Sequence, residues 1–352
     1  MAIELRGVSL RVGAERYIYE TTLALEPGQF NILLGTTLSG KTTLMRLMAG
    51  LEKPTAGEIW AGGENVTGVA VQKRSVAMVY QAFINYPSFS IYDNIASPLR
   101  VAGLSKAEID RQVRRFADLL QLTPMLNRVP SELSGGQQQR TALARALVKG
   151  AELVLLDEPL ANLDYKLREE LRDELPKLFA DTGATVVYAT SEPLEALMLG
   201  GHTATLKEGR VVQFGPTSKI YRHPETLESA EVFSDPPVNT ASISKRGTRA
   251  FLSEAVSWEL PAGVRDLADG EYRIALRPHH LQPAGDGVEV EGEVQIAEIS
   301  GSESIVRVNV AGNNWVSEAR GIHSYEYGQR ANFHFDPARC FYFDAAEKLI
   351  AT

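Results

Sequence analysis

The chain has 352 residues, 36 of them basic and 44 acidic, and a net charge of −8 argues against general nucleic-acid affinity. With 44% hydrophobic and 23% charged residues it has the make-up of a folded globular protein, which excludes a disordered tail and a collagen-like fibre. Its length suits two or three domains at about 150 residues each. The single cysteine, Cys340, can form no internal disulfide, as expected in a reducing compartment. No stretch approaches the roughly 18 consecutive apolar residues of a membrane span, and the N-terminus lacks the apolar core of a signal peptide. Any work at a membrane is expected to go through partners.

Alternation in Ile3-Glu4-Leu5-Arg6-Gly7-Val8 and in Leu23-Ala24-Leu25 predicts half-buried strands. Phe30 to Leu34 is a short apolar run, as in a strand buried on both faces. A Gly-rich turn follows, then helical spacing from Thr42 to Ala49, with Gly50 suited to the C-cap. Ser75 to Tyr80, Leu153 to Leu156 and Ala184 to Ala189 are further buried strands. Between them lie three predicted helices. The first is opened by the capping box Ser105-Lys106-Ala107-Glu108 and runs to about Leu122. The second spans Gly136 to Val148. The third spans Tyr165 to about Ala180, where Pro176 is expected to kink or shorten it. Strands alternating with helices predict a parallel α/β sheet.

The pattern changes near Asp235-Pro236-Pro237, which reads as a linker between a first domain, 1–235, and a second, 236–352. In the second, short alternating runs (Tyr272 to Leu276, Val288 to Ile296, Ile305 to Val310 and Arg330 to Phe335) predict a small all-β barrel.

Three segments carry chemistry. Gly35-Thr36-Thr37-Leu38-Ser39-Gly40-Lys41-Thr42 matches G-x-x-x-x-G-K-[ST] between a predicted strand and a predicted helix, the context that marks a phosphate-binding P-loop. Its backbone N–H groups and helix N-terminus, with Thr43 in the first turn, would cradle phosphates. Lys41 would pair with the outer phosphates and Thr42 would ligate Mg²⁺. Asp157 and Glu158 end an apolar strand, and buried carboxylates are costly without a cation. Asp157 is a candidate Mg²⁺ holder through water, and Glu158 a candidate to orient an attacking water. Ser134, Gly135, Gly136 and Gln137 open a helix and form a second anion-site candidate or an ordinary N-cap.

The P-loop, Leu133-Ser134-Gly135-Gly136-Gln137 followed by Gln138-Gln139-Arg140, the run Leu155-Leu156-Asp157-Glu158-Pro159, and Leu160-Ala161-Asn162-Leu163-Asp164 together resemble the nucleotide-binding subunit of an ABC transporter. Arg273 to Leu281 resembles a strand of the C-terminal barrel of carbohydrate and glycerol-phosphate importer ATPases. The resemblance implies an ABC-type α/β P-loop NTPase with an antiparallel β subdomain and a helical subdomain at about 82–150. A small OB-like barrel, regulatory or dimerising, would follow it.

The resemblance further implies ATP and Mg²⁺ as cofactors and Glu158 as the catalytic carboxylate, with Gln81 at the metal or the attacking water. Ile84-Asn85-Tyr86-Pro87 would receive a coupling helix of the membrane subunits. Ser134, Gly136 and Gln137 would reach the γ-phosphate held by the other subunit of a head-to-tail dimer, with Asp164 across that interface. Implied partners are a second ATPase subunit, two membrane-spanning permease subunits and a periplasmic or extracellular solute-binding protein. The place of work would be the cytoplasmic face of the cell (inner) membrane.

Three positions depart from the family. Ser191 stands where a histidine usually contacts the γ-phosphate, and a hydroxyl is shorter and cannot carry charge near neutral pH. His202, the nearest downstream histidine, reads as structural. Leu38 replaces a glycine of the phosphate loop, at a cost of roughly 1–2 kcal/mol if φ is positive there. The adenine-stacking aromatic should fall near Val12, leaving Tyr17 or Tyr19 to serve. With the signature segment complete, these departures lead us to expect a non-identical ATPase partner. This chain's own site would be slow, and its signature would complete the working site. A regulatory subunit that binds ATP with little hydrolysis, or a soluble ABC ATPase unconnected with transport, are the alternative readings.

Overall fold

The computed structural model describes residues 1–82, 84–161, 163–180 and 182–352. They form two compact units, Met1–Thr217 and Ser218–Thr352. The expected linker at Asp235-Pro236-Pro237 lies inside the second.

In the first unit β1 (Ile3–Val12), β2 (Glu15–Leu25), β4 (Ala56–Ala61) and β5 (Glu64–Asn65) make an antiparallel sheet in the order β2-β1-β4-β5. A second sheet has the order β10-β9-β3-β8-β7-β6. It is built from β3 (Phe30–Leu34), β6 (Val76–Val79), β7 (Leu153–Asp157), β8 (Thr185–Thr190), β9 (His202–Lys207) and β10 (Arg210–Pro216). All its pairings are parallel except β9 with β10. Every residue of β3, β7 and β8 is buried, as expected of central parallel strands covered on both faces. Helix α1 (Lys41–Ala49) buries Leu44, Met45, Leu47 and Met48 in a core that also takes side chains from both sheets. This fixes the axis along which the phosphate loop delivers its backbone N–H groups. Gly50 ends α1 at φ 77°, a left-handed cap that glycine adopts without strain.

Helices α2 (Ile91–Val101), α3 (Lys106–Leu119) and α4 (Gly135–Val148) form the helical subdomain. The Oγ atoms of Ser90 and Ser105 accept N–H bonds from Asp93 at 3.0 Å and Glu108 at 3.3 Å, capping α2 and α3. Helix α5 (Tyr165–Ala180) runs through Pro176, which corrects the expectation of a shortened helix. Leu171, Leu175 and Phe179 are buried around the proline, and their packing outweighs one missing backbone bond. Helix α6 (Pro193–Leu199) follows β8.

Helix α7 (Thr217–Arg222) lies at the division, and the second unit continues with α8 (Leu227–Val232). There β11 (Asn239–Arg246), β12 (Arg249–Phe251), β13 (Ser257–Glu259), β14 (Gly270–Leu276), β19 (Phe341–Phe343) and β20 (Leu349–Ala351) form one sheet, and α9 (Ala262–Arg265) follows β13. A second sheet holds β15 (Val288–Ile299), β16 (Glu303–Val310), β17 (Asn313–Arg320) and β18 (Arg330–Phe335). All pairings among the described residues are antiparallel, and both sheets contribute to one core, the expected OB-like barrel. At its centre the rings of Trp258 and Trp315 meet Phe335 edge-on at 5.3 and 6.0 Å. Trp315 Nε1 donates to the Thr240 carbonyl at 3.0 Å, so its polar atom is not stranded. Cys340 is buried beside them, its thiol pushed up by burial.

Candidate nucleotide site

The turn after β3 is held at both ends. Gly35 N donates to the Thr190 carbonyl at 3.3 Å, and Ser39 N to the Thr36 carbonyl at 3.1 Å. A Cβ on Gly35 would come within 2.5 Å of both Ser39 Oγ and the Leu206 carbonyl oxygen, so only glycine fits there. Gly40 has φ 103°. Leu38 has φ 68° and is 94% exposed, so its side chain gains almost no burial to offset the backbone strain.

Lys41 is buried. Its Nζ donates to the carbonyls of Gly35 at 2.6 Å and Thr36 at 3.0 Å and stands 3.6 Å from Glu158 Oε1. Burial pushes its pKa down, against the pull of Glu158 and Asp157. Thr42 Oγ1 donates to Asp157 Oδ2 at 2.8 Å, and Gln81 Nε2 donates to Glu158 Oε2 at 2.8 Å. Asp157 is only 2% exposed, and burial raises its carboxyl. Glu158 has φ 46° just past the end of β7, and its N–H is tied to the Ala189 carbonyl at 3.0 Å. That turn sends its carboxylate toward Lys41 and Gln81. Thr37, Leu38, Ser39, Gly40, Thr43 and Tyr17 line the same cavity of about 570 Å³. The arrangement gathers one buried ammonium, two carboxylates, a hydroxyl and an amide where a helix N-terminus points, and these groups suit a polyphosphate.

Other predicted residues lie apart. Ser134 Oγ accepts from Gln137 N at 3.4 Å and Gln137 Oε1 accepts from Ser134 N at 3.0 Å, a reciprocal box that caps α4 over Gly135 and Gly136. These residues do not line the cavity. Asp164 Oδ1 accepts from Leu167 N at 3.0 Å at the head of α5, while Asn162 lies outside the described residues. Ser191 is exposed after β8 and is not part of the cavity wall. Val12 also stands outside it, 58% exposed. Ile84 and Tyr86 are exposed, and Tyr86 borders a separate groove of about 660 Å³.

A family model described as ABC transporter matches residues 18–161, and one described as TOBE domain matches residues 274–343. The trehalose/maltose import ATP-binding protein of Thermococcus litoralis is 36% identical over 93% of this chain and 93% of its own length. The chain belongs to the ABC transporter ATP-binding family. The alpha-glucoside transport ATP-binding protein of Rhizobium meliloti is 35% identical, covering 97% of this chain and 96% of that protein. The sn-glycerol-3-phosphate import ATP-binding protein of Chromobacterium violaceum is also 35% identical, over 97% and 94%. Among solved structures, a dimeric ATP-binding cassette in a post-hydrolysis state with ADP and phosphate superposes with a TM-score of 0.57 at 28% identity. It covers 61% of this chain and 98% of its own. This ABC subunit therefore binds ATP, and its ATPase activity is coupled to transport.

Sequence reasoning missed two features of the ABC domain. Tyr188 Oη and Thr190 Oγ1 both donate to Glu195 Oε2, at 3.2 and 2.6 Å, beneath the segment that carries Ser191. Burial raises the Glu195 carboxyl. Arg168 Nη1 reaches Glu192 at 3.0 Å while Nη2 reaches the Ala161 carbonyl at 3.3 Å, so one side chain links the segments flanking the two sides of the acid turn. The first joins the end of β8 to α6, five and seven residues apart, the second joins α5 to the segment after β8, and no motif spacing marks either.

Proposed function

We propose that the chain is the ATP-binding and hydrolysing motor of an importer for a small polar solute: a sugar, glycerol or glycerol phosphate. The observation that carries this is the convergence of Lys41, Thr42, Gln81 and Glu158 on one cavity, with Asp157 hydrogen-bonded to Thr42, in a chain that aligns along nearly its whole length with import ATP-binding proteins. The solute class is supported by the names of those relatives.

Lys41 and the backbone of Gly35 to Thr43 hold the triphosphate. Glu158, oriented by Gln81, positions the attacking water and draws on its proton. Mg²⁺ fits the same corner, because Asp157 is buried with a hydroxyl as its hydrogen-bond partner and a cation beside it would offset the cost of its charge. Thr42, Asp157 and Gln81 would hold the ion, which supplies neutralising charge at the outer phosphates. Among the described residues no cluster of three His, Cys, Asp or Glu side chains is placed to bind a metal, so its other ligands would be phosphate and water.

The motor domain, 1–235, works as one half of a head-to-tail ATPase dimer. It is peripheral to the cytoplasmic face of the membrane, beneath two permease subunits fed by a solute-binding protein. The barrel, 236–352, serves dimerisation and regulation. The second ATPase subunit is non-identical. This is supported by the strained, exposed Leu38 and by a serine at position 191 outside the cavity wall, beside an intact capping box at Ser134 to Gln137. The own site is then slow, and the signature completes the faster one.

Membrane vesicles carrying the assembled transporter, with ATP inside, should accumulate labelled maltose, glycerol or glycerol phosphate, and Lys41→Ala should abolish uptake. ATP turnover without uptake of any of the three, or a chain that never associates with permease subunits, contradicts the proposal.

A further inference from the structure

Three successive residues of α4 are tied to three other segments. The Gln138 carbonyl accepts from Asn85 Nδ2 at 2.8 Å, and Gln139 Nε2 donates to the Pro159 carbonyl at 2.6 Å. Arg140 Nη1 donates to the Leu120 carbonyl, just past α3, at 3.1 Å. The first two ties bear on the site. Asn85 lies four residues after Gln81, and Pro159 directly follows Glu158. Gln81 and Glu158 line the cavity and meet there at 2.8 Å, so α4 holds both of the segments that bring them together.

Each tie is an amide bound at one end only. Gln139 is 1% exposed, and its Oε1, like Asn85 Oδ1, is buried with no hydrogen-bond partner among the described residues. A buried oxygen left unpaired costs about 1–3 kcal/mol. Turning either amide over gives no relief, because its oxygen would then face a carbonyl oxygen. A methionine would fill the space of Gln139 without that cost. Packing alone therefore does not account for a buried amide at position 139, whereas its hold on Pro159 does.

We propose that Gln139 and Asn85 are positioning residues for hydrolysis, bracketing the Gln81–Glu158 pair from α4. The inference rests on reading Glu158 as the acid of this nucleotide site. Glu158 has φ 46°, a left-handed turn that a glutamate keeps only where its surroundings over-determine it. Its own N–H is tied to the Ala189 carbonyl, and the carbonyl of the next residue is tied to Gln139. The turn is thus clamped before and after the side chain that holds the attacking water. Asn85 does the same service for the segment that follows Gln81.

The test uses the assembled transporter with a Glu→Gln change in the partner ATPase, so that turnover depends on Glu158, and follows hydrolysis of radiolabelled ATP. Gln139→Met keeps the length and loses the donor. It should lower kcat about ten- to a hundredfold and leave KM for ATP unchanged. Asn85→Ala should lower kcat about three- to tenfold. In a Gln81→Ala background it should cost nothing more, because the group it positions is gone. Wild-type kcat in Gln139→Met and Asn85→Ala overturns the inference. So does a rise in KM or an early melt of the first unit in step with the lost rate, since the ties would then serve only the fold. Losses from Gln81→Ala and Asn85→Ala that multiply overturn the role of Asn85. If Glu158→Gln changes nothing in this complex, the reading of the site fails first and the inference with it.

Discussion

Residues 1–217 carry 23 basic and 24 acidic side chains, and residues 218–352 carry 13 and 20, so nearly all of the net charge sits in the second unit. Both units draw charge inward, but they place it differently. Lys41 is 5% exposed and Asp157 2%, and Thr42, which donates to Asp157, lines the same cavity as Lys41. The acidic unit buries Lys245 and Arg277, each 4% exposed, against backbone carbonyls, Lys245 on Gly247 and Arg277 on Phe233 and Tyr221, and keeps pairs such as Arg249 with Glu259 and Arg330 with Glu291 at the surface. Exposed pairs of that kind contribute little to stability, and its core is held by Trp258, Trp315, Phe333 and Phe335. The contrast separates a unit whose buried charges gather beside a cavity from one whose buried cations tie down its own backbone.

Removing the packing centre should give the largest effect. Trp315→Ala should cost about 3–5 kcal/mol and melt the barrel early in calorimetry. ATP binding by the first unit should survive, and its loss would show that the units are not separable in stability. Next, Lys41→Ala removes charge-assisted hydrogen bonds worth about 1.5–3 kcal/mol. Titration with ATP should show affinity falling by at least about tenfold, with the barrel's melting unchanged.

The third prediction is a pH dependence confined to the second unit. His280 is pushed down to about 4, chiefly by burial and then by His279, Arg339 and Arg277, and the His279 ring lies tilted against it with centres 4.3 Å apart. The unfolded chain takes up that proton near 6.5, the folded chain only near 4. The stability tied to neutral His280 is therefore complete above pH 6.5 and declines as pH falls toward 4. His280→Leu should flatten the barrel's melting temperature across that window. The smallest effect belongs to Leu38→Gly. Relief of about 1–2 kcal/mol of left-handed strain is partly offset by about 0.5–1 kcal/mol of added glycine entropy. Thermal melting of the first unit should rise slightly.

The two units also differ in how much their sequence discloses. In the first, Gly35 to Thr42, Ser134 to Gln137 and Asp157-Glu158 are local patterns whose spacing is itself the chemistry, and burial confirms the strands that carry them. The links from Arg168 to Glu192 and from Glu195 to Tyr188 were invisible, because no motif marks them and each depends on how a helix packs beside the end of β8. Pro176 misled because local rules price a missing N–H and not the buried Leu171, Leu175 and Phe179 around it. In the barrel, alternation revealed strands but no site, since its large aromatic side chains Trp258, Trp315, Phe333 and Phe335 are spent on the core.

The two ATP sites of the assembled transporter are proposed to be unequal. The most direct measurement is ATP turnover by that complex carrying Glu158→Gln, compared with the same Glu→Gln change in the partner ATPase. Glu158→Gln should leave most of the activity, while the partner's change should abolish it. A complex with two copies of this chain, in which Glu158→Gln abolishes turnover, would contradict it.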